Sequence, residues 1–329
     1  MKKILAIAIA SAFAAPAFAA TANTDVYGKL NMSVNVFDDQ AAGISDVGIS
    51  SNASRIGFKG AEDLGGGLSA IWQLEQTVVL DEGSGSFATR NSFIGLKGGF
   101  GTVLVGRHDT PLKSVGRAVD LFSDSMADSR NVMIDSNGRP NNVAMYKSPS
   151  FSGLNFDALY STGTATGNLS EPDDTDFYSM SATYKNGPVF LGLGYANGDG
   201  LSTSIDKAWR LGAGFTIADL KFVAQYDKND SISGTSDSDA WMVGAAYKMG
   251  NVTLKANYME RDIDNTSVDP QQWTIGADYS LSKRSSVYAT YAKGEYITVG
   301  SGAGTSDQVG SGVAGGDISV LSLGMIHTF

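Results

Sequence analysis

The sequence consists largely of short segments in which apolar and polar residues alternate, separated by clusters of Gly, Asn, Asp and Ser. In VYGKLNMSVNVF, for example, Val26, Met32 and Val34 share one face, while Lys29 and Asn31 share the other. Successive side chains of a strand point to opposite faces, so a period of two predicts strands with one apolar and one polar face. The pattern recurs about sixteen times, which predicts an all-β chain.

The connections between these segments alternate in length. Short links such as DLGGGL, KNGP and KMGN alternate with long polar links such as TGTATGNLSEPDDTD and DKNDSISGTSDSD. Short turns at one rim and long loops at the other predict an antiparallel up-and-down meander. With an even number of strands, such a meander closes into a barrel that has no exposed sheet edge and brings both termini to the short-turn rim.

The polar face of the predicted strands carries many charges, among them Lys29, Arg55, Glu75, Lys255 and Asp278. Such a face cannot form a dry core, because unpaired buried charges cost several kcal/mol each. A barrel of about eight strands is filled by its own side chains, whereas about sixteen strands leave an aqueous channel. The prediction is a 16-stranded antiparallel transmembrane β-barrel. A soluble β-sandwich shows the same alternation, so the pattern alone leaves that alternative open.

Aromatic residues favour the membrane barrel. Three tryptophans on the apolar phase are each followed six residues later by another aromatic residue, giving the pairs Trp209 and Phe215, Trp241 and Tyr247, and Trp273 and Tyr279. Six residues extend about 20 Å along a strand, close to the ~25 Å apolar band between the aromatic girdles of membrane barrels. The last segment, LSLGMIHTF, also alternates and ends on Phe329, which predicts a closing strand that faces lipid.

The N-terminus reads as a secretory signal peptide. MKKILAIAIASAFAAPAFA has two lysines, an apolar run, the helix breaker Pro16 and a small-residue cleavage site ending at Ala19. Residues 1–19 are therefore predicted to be removed and residues 20–329 to form the mature barrel. The apolar run is shorter than the ~20 residues of a transmembrane helix. The chain has no cysteine, so it would fold without disulfides, and its net charge of -10 argues against nucleic acid as a partner.

The longest early connection joins the strand ending near Pro111 to the strand beginning near Asn141, and it is far longer than a hairpin needs. Within it, apolar residues recur at helical spacing and acids occupy the opposite face. The apolar set is Val115, Ala118, Val119, Phe122 and Met126, and the acidic set is Asp120, Asp124 and Asp128. This spacing predicts a short helix with one apolar and one acidic side.

The sequence offers little material for catalysis or cofactor binding. Its two histidines are His108, at the entry to the long connection, and His327, on the predicted lipid face. Thiol chemistry is excluded, and a structural or lumenal role is expected for His108. The stretch GSGAGTS lacks the lysine of a phosphate-binding loop, and EPDDTD lacks the spacing of a dedicated calcium loop. No enzymatic activity, metal or cofactor is predicted.

Several segments together resemble the general diffusion porins of the Gram-negative outer membrane, which are trimeric sixteen-stranded barrels. They are VYGKL, SRIGFKGAEDLGGGL at Ser54, TRNSFIGLKGGFGTVLVGR at Thr89, the MYKSPSF hairpin at Met145 and the final Phe329. The resemblance implies passive diffusion of ions and small hydrophilic solutes. It also implies a homotrimer in contact with outer-membrane lipid and lipopolysaccharide, and insertion by the barrel-assembly machinery with Phe329 as the C-terminal signal.

The same resemblance implies that residues 112–140 form a third loop that folds into the lumen as a constriction. Its acids Asp120, Asp124 and Asp128 would face a basic wall, which by motif position comprises Lys29, Arg55, Arg90 and Arg139. Acids opposite bases across a narrow pore create a transverse field that governs ion selectivity. Net acidity favours cations and the basic wall favours anions, so the preference stays open. The alternative function is a secreted all-β binding protein or adhesin.

Overall fold

The computed structural model describes residues 23–39, 43–83, 87–133, 138–163, 176–198, 205–232, 234, 236–299 and 317–329; the predicted signal peptide, residues 1–19, lies outside these ranges. The strands are β1 (Asn23–Asp39), β2 (Ile44–Ser51), β3 (Arg55–Gly65), β4 (Leu68–Thr77), β5 (Ser92–Gly98), β6 (Gly101–Arg107), β7 (Val143–Lys147), β8 (Leu154–Ser161), β9 (Phe177–Asn186), β10 (Val189–Asn197), β11 (Ile205–Ile217), β12 (Leu220–Ser231), β13 (Ser238–Met249), β14 (Val252–Ile263), β15 (Gln271–Ser280), β16 (Ser285–Glu295) and β17 (Asp317–Thr328). One α-helix, α1 (Pro111–Arg117), and a 3-10 turn at Ser129–Asn131 lie between β6 and β7.

All strands form one closed antiparallel sheet. From β3 onward each strand pairs with the next, and β17 pairs back onto β1, with Met32 opposite Met325. The segments β2 and β3 both pair with β1, and residues 52–54 separate them, so they share one position in the barrel. The seventeen segments therefore occupy sixteen strand positions, which confirms the predicted fold.

Turn length and turn chemistry follow the sequence. Between β3 and β4, Gly65, Gly66 and Gly67 have φ values of 84°, 62° and 79°, a left-handed region that glycine enters without steric cost. The first and last strands meet at this short-turn rim, where Gly28 N donates to Phe329 O at 3.0 Å and Phe329 N donates to Gly28 O at 3.2 Å. A Cβ on Gly28 would collide with the Phe329 ring, so the glycine makes room for the terminal aromatic residue.

The two faces of the sheet differ as the alternation predicted. On the outer face, Ile275 and Leu323 are 53% and 56% exposed. On the inner face, Asn31 and Thr274 are fully buried. The outer surface also carries pairs of aromatic rings in tilted contact towards the long-loop rim, namely Trp209 with Tyr195, Trp241 with Tyr258 and Trp273 with Tyr291. Apolar side chains that face outward rule out the sandwich alternative, in which they would pack against each other.

The described part of the β6–β7 connection, residues 108–133 and 138–142, runs through the barrel interior. The helix α1 packs against β8, β9, β10 and β11. Further along, Phe122 lies against Gly276 of β15, and Gln272 of the same strand donates through Nε2 to the carbonyl of Ala127 at 3.1 Å. The Asp124 carbonyl then accepts from Asn31 of β1 at 2.6 Å. A segment that contacts inward residues of these strands must cross the lumen, so the predicted third loop folds inside.

The helix predicted in this connection is shorter than its apolar spacing indicated, because α1 ends at Arg117 and the following residues form turns. The Asp120 carboxylate accepts hydrogen bonds from Phe122 N and from Ser129 N and Oγ. Aspartate side chains that bind nearby backbone N–H groups compete with the helical hydrogen bonds. The predicted apolar set is buried except for Ala118, which is exposed. Among the described residues, no helix is long and apolar enough to cross a membrane.

Candidate functional site

Asp124 joins the internal loop to the barrel wall through two wall cations. Its Oδ2 lies 3.0 Å from Lys29 Nζ on β1 and 3.1 Å from Arg55 Nη1 on β3. These two strands are adjacent over residues 23–29, where Lys29 pairs with Arg55 in the register. The register places the two cations side by side, and one carboxylate lies within ion-pair distance of both.

The loop supplies further cations to the same carboxylate. Arg117 Nη2 lies 2.7 Å from Asp124 Oδ1, and Arg130 Nη2 lies 3.9 Å from it. Asp124 is only 3% exposed and has a φ of 60°, and its N–H donates to Asp128 Oδ2 at 2.8 Å. The backbone conformation is uncommon for a residue other than glycine. It turns the carboxylate out of the loop and towards the wall.

Electrostatics keep Asp124 ionised. Burial by itself would raise the pKa of the Asp124 carboxyl, but Arg117, Lys29 and Arg55 outweigh this effect and hold the pKa well below its usual range. For Asp120 the balance is reversed. Burial raises the pKa of Asp120 to about 6, repulsion from Asp128 adds to the rise, and the hydrogen bonds from Phe122 and Ser129 oppose it.

The structure does not bring the other two predicted acids to the wall cations. Asp120 binds Phe122 and Ser129 within its own loop. Asp128 is fully buried, and its Oδ1 lies 2.7 Å from Arg130 Nε. Both acids therefore shape the loop, and Asp124 alone of the three contacts the wall bases.

Arg90 and Arg139, the other two predicted wall bases, have separate partners. Arg90 Nε lies 2.7 Å from Glu75 Oε1 on β4, and Glu75 Oε2 accepts from Tyr27 at 3.0 Å. Arg139 Nη2 lies 2.9 Å from Asp109 Oδ1 at the start of the loop. The four bases thus line one side of the lumen, but only Lys29 and Arg55 meet an acid of the predicted acidic set.

Sequence reasoning missed several members of this cluster, namely Arg117, Arg130, Glu75 and Asp109. A usable signal existed for the first two, since Arg117 is seven residues before Asp124 and Arg130 is two residues after Asp128 in the same loop. Contacts of Glu75 and Asp109 depend on the register of the folded barrel, which local spacing does not give.

A buried ion pair on the wall supports α1 from behind. Arg210 of β11 and Asp227 of β12 pair directly in the register, and Arg210 Nη2 lies 2.6 Å from Asp227 Oδ2. The Arg210 guanidinium also lies against Gly116 of α1, where a Cβ would come within 2.7 Å of Nη1. The absence of a side chain at Gly116 lets α1 pack directly against the ion pair.

We expect Asp227→Asn to lower the stability of the barrel by about 3 kcal/mol, because it leaves the buried Arg210 without a counter-charge. The measurement is the midpoint of thermal unfolding of the protein in detergent. Asp317→Asn is the matched control, because the Lys293–Asp317 pair at 2.7 Å is open to solvent and exposed ion pairs contribute little to stability. Equal midpoints for the two variants would contradict a supporting role for the buried pair.

His108 has a structural environment. Its ring packs on Phe93 with centroids 5.6 Å apart, and its Nδ1 lies 2.8 Å from the Asp109 carbonyl. Burial lowers the pKa of His108. Within the described ranges, no group of His, Cys, Asp or Glu side chains is arranged to hold a metal ion.

Comparison with known proteins agrees with this architecture. Residues 6–297 match a sequence family described as Gram-negative porin. The chain is 37% identical over 203 residues to the major outer membrane protein P.IB of Neisseria meningitidis serogroup B, a match that covers 60% of this chain and 59% of that protein. The corresponding protein of Neisseria lactamica is 32% identical over 220 residues, covering 63% of each chain. The first match therefore spans about three fifths of the relative's length.

Solved structures extend the likeness to the whole barrel. An anion-selective porin from Comamonas acidovorans has a TM-score of 0.79 and 25% identity, over 94% of this chain and 100% of that chain. OmpF of Salmonella typhi, in complex with daunomycin, has a TM-score of 0.71 and 18% identity, over 93% and 97% of the two chains. At the latter identity the likeness concerns the fold alone.

Proposed function

Because this chain belongs to the Gram-negative porin family, we propose that it forms a water-filled channel in the outer membrane through which ions and small hydrophilic solutes diffuse passively. The observation that carries the proposal is the inverted barrel, with apolar side chains outside and charged side chains inside. Sixteen strand positions give a barrel wide enough for an aqueous lumen. Diffusion through such a lumen requires no catalytic group, so the proposed function is that of a channel and not of an enzyme.

The proposed partners follow from the outer surface and from the relatives. The apolar outer band suits outer-membrane lipid, and the aromatic pairs at the long-loop rim suit its interface with lipopolysaccharide. One solved relative, OmpT of Vibrio cholerae, is described in a trimer form, and we propose a homotrimer for this chain. Phe329, paired with β1 and packed over Gly28, is proposed as the C-terminal signal for the barrel-assembly machinery.

The constriction is proposed to lie where the loop segment of residues 112–140 meets Lys29 and Arg55. Asp124 is assigned to its acidic side, and Arg90 and Arg139 to the basic wall beside it. Asp120 and Asp128 are assigned to holding the loop in shape, because their partners lie within the loop. Solutes would then pass a wall in which positive charge predominates.

Charge balance at this level favours anions. Among the described residues, the loop and the wall side chains around it contribute eight bases and five acids, apart from two wall ion pairs that carry no net charge, Arg210–Asp227 and Lys255–Asp278. The bases are Lys29, Arg55, Arg90, Arg107, Lys113, Arg117, Arg130 and Arg139, and the acids are Glu75, Asp109, Asp120, Asp124 and Asp128. Charges in a constriction are screened less than surface charges, so this excess outweighs the acidic outer loops. We therefore propose a preference for anions, the property named for the Comamonas acidovorans relative.

Removal of positive charges from the basic wall tests the proposed anion preference. The double variant Arg55→Gln, Arg90→Gln should shift the reversal potential in a KCl gradient towards cation preference, because two positive charges leave the constriction. Lys228→Gln, on the exposed outer face, is the control and should leave the potential unchanged. Absence of any conducting step for the wild-type protein would refute the channel, and an unchanged potential in the double variant would refute the wall assignment alone.

A further inference from the structure

Arg261, which is half-buried, differs from the other cations of the lumen wall. It lies on the inward phase of β14, beside the buried Met259 and Asn257. Its Nε is buried and has no hydrogen-bond acceptor, and within the described part of the chain it forms no ion pair. Arg210, by contrast, is matched by Asp227. A buried cationic donor without an acceptor is costly, so proteins normally pair such groups.

Two more unpartnered polar groups lie next to Arg261. Asn229 of β12 and Ser238 of β13 pair directly in the register, and they are 3% and 4% exposed. The Asn229 Nδ2 and Ser238 Oγ atoms are both buried and have no hydrogen-bond partner among the described residues. Directly opposed side chains on adjacent strands have Cβ atoms about 5 Å apart. The two groups can therefore reach a single small ligand.

The strand register places Arg261 diagonally next to this pair. Ser238 is opposite Ile263, and Ala240 is opposite Arg261, so Arg261 is a diagonal neighbour of Ser238. Diagonal neighbours lie about 7–8 Å apart, within reach of an arginine side chain. The residue between Arg261 and Asp227 in this register is Ala240, whose side chain has no polar group to offer to either of them.

The nearby carboxylate cannot serve as the missing counter-ion. Asp227 lies one strand beyond Ala240, and both of its oxygens accept from Arg210 and Gln225. Three side chains with unpartnered donors therefore lie at neighbouring register positions on the lumen wall, and the acid of the row Arg210, Asp227, Ala240 and Arg261 is already hydrogen-bonded. A guanidinium N–H, an amide NH2 and a hydroxyl together match an oxyanion, which offers several acceptor atoms to a planar arginine donor.

We propose that Arg261, Asn229 and Ser238 form a binding site for a small solute oxyanion, a phosphate or a carboxylate, on the lumen wall. The site is on the long-loop side of the constriction, near the β12 and β14 ends that lead to the outer loops. The proposal rests on the proposed channel function, since the site binds anions on their way through the lumen before they reach Lys29 and Arg55. Its donors belong to hydrogen-bonded strands, whose register fixes the spacing between them.

The test uses the intact protein in detergent, with inorganic phosphate as the probe and NaCl adjusted to keep the ionic strength constant. Phosphate should raise the midpoint of thermal unfolding by about 3 °C, because a ligand that binds only the folded state stabilises it. A parallel series with acetate shows whether the site prefers a carboxylate or a phosphate. The rise should vanish in Arg261→Gln. In Ser238→Ala, which keeps every charge, the phosphate concentration needed for the half-maximal rise should increase about tenfold.

The control Arg55→Gln removes a lumen charge elsewhere and should keep the full rise. The site is refuted if Arg55→Gln loses the rise as Arg261→Gln does, or if Ser238→Ala behaves as the wild type. In either case phosphate acts only through the overall positive charge of the lumen. A lack of any rise with either phosphate or acetate also refutes it. This readout does not depend on conduction, so a failed site and a failed channel give different results.

Discussion

Asp124→Asn is expected to make the channel more selective for anions, by about fivefold in the ratio of anion to cation permeability. The substitution keeps the shape of the side chain and removes the negative charge that Lys29, Arg55 and Arg117 now share. Two unit charges 4 Å apart in water interact by about 1 kcal/mol, and tenfold in an equilibrium corresponds to 1.4 kcal/mol. Without the negative charge of Asp124, the free energy of each passing ion should therefore change by about 1 kcal/mol, in favour of anions.

The measurement is the reversal potential of the reconstituted protein across a tenfold KCl gradient, compared with the wild type. Asp278→Asn is the matched control, because its carboxylate pairs with Lys255 at 2.9 Å on the lumen wall and forms no ion pair with Lys29, Arg55 or Arg117. The control should shift the potential much less. A potential that moves towards cation preference in Asp124→Asn would contradict the placement of Asp124 among wall bases. A steady single-channel conductance shows that the loop has kept its position.

The barrel itself was predictable because its signal is local. A strand in a closed sheet between lipid and water must alternate, so inward and outward residues can be assigned from the sequence at each step. In β1, Asn31 and Val34 fall on the faces that alternation assigned to them. The division of one strand position into β2 and β3 was not predictable in this way, because the break at residues 52–54 leaves the overall pattern unchanged.

The internal loop was predictable in its existence but not in its shape. Helical spacing treated Asp120, Asp124 and Asp128 as equivalent acids on one face. In the structure the three acids are not equivalent. Asp120 accepts a hydrogen bond from Phe122 N within a turn, and the positive φ of Asp124 directs its carboxylate alone to the wall. Such turns depend on which side chain captures a backbone N–H group, and several choices are close in energy.

One further sequence signal marks the wall on which the loop docks. The inward phase of β12, β13 and β14 contains Val223, Met242 and Met259, where a water-filled lumen requires polar side chains. These residues are buried in one cluster with Phe122 and Met126 of the loop. An apolar patch on the water-facing phase therefore predicts a covering segment, a rule that alternation alone does not supply.

Deletion of Val115–Asp128 is expected to increase the single-channel conductance about two- to threefold, because the loop crosses a barrel whose sixteen strands would otherwise leave an open aqueous lumen. The deletion also removes Asp124 and Arg117, so the ion preference should then reflect the wall bases Lys29 and Arg55. The measurement is the size of the conductance step in a planar bilayer. Removal of Asn265–Ser267 from the exposed β14–β15 connection is the control, and it should leave the step unchanged.

The same deletion should lower the stability of the barrel, because Val223, Met242 and Met259 would face lumen water instead of the loop. Conductance and stability should therefore move in opposite directions in the deletion, while the control changes neither. A step equal to or smaller than that of the wild type, in a variant that still shows a folded barrel by its heat-dependent gel mobility, would contradict the lumenal position of the loop. The paired result separates a loop that obstructs the pore from one that only braces the wall, since bracing alone predicts the loss of stability without the gain in conductance.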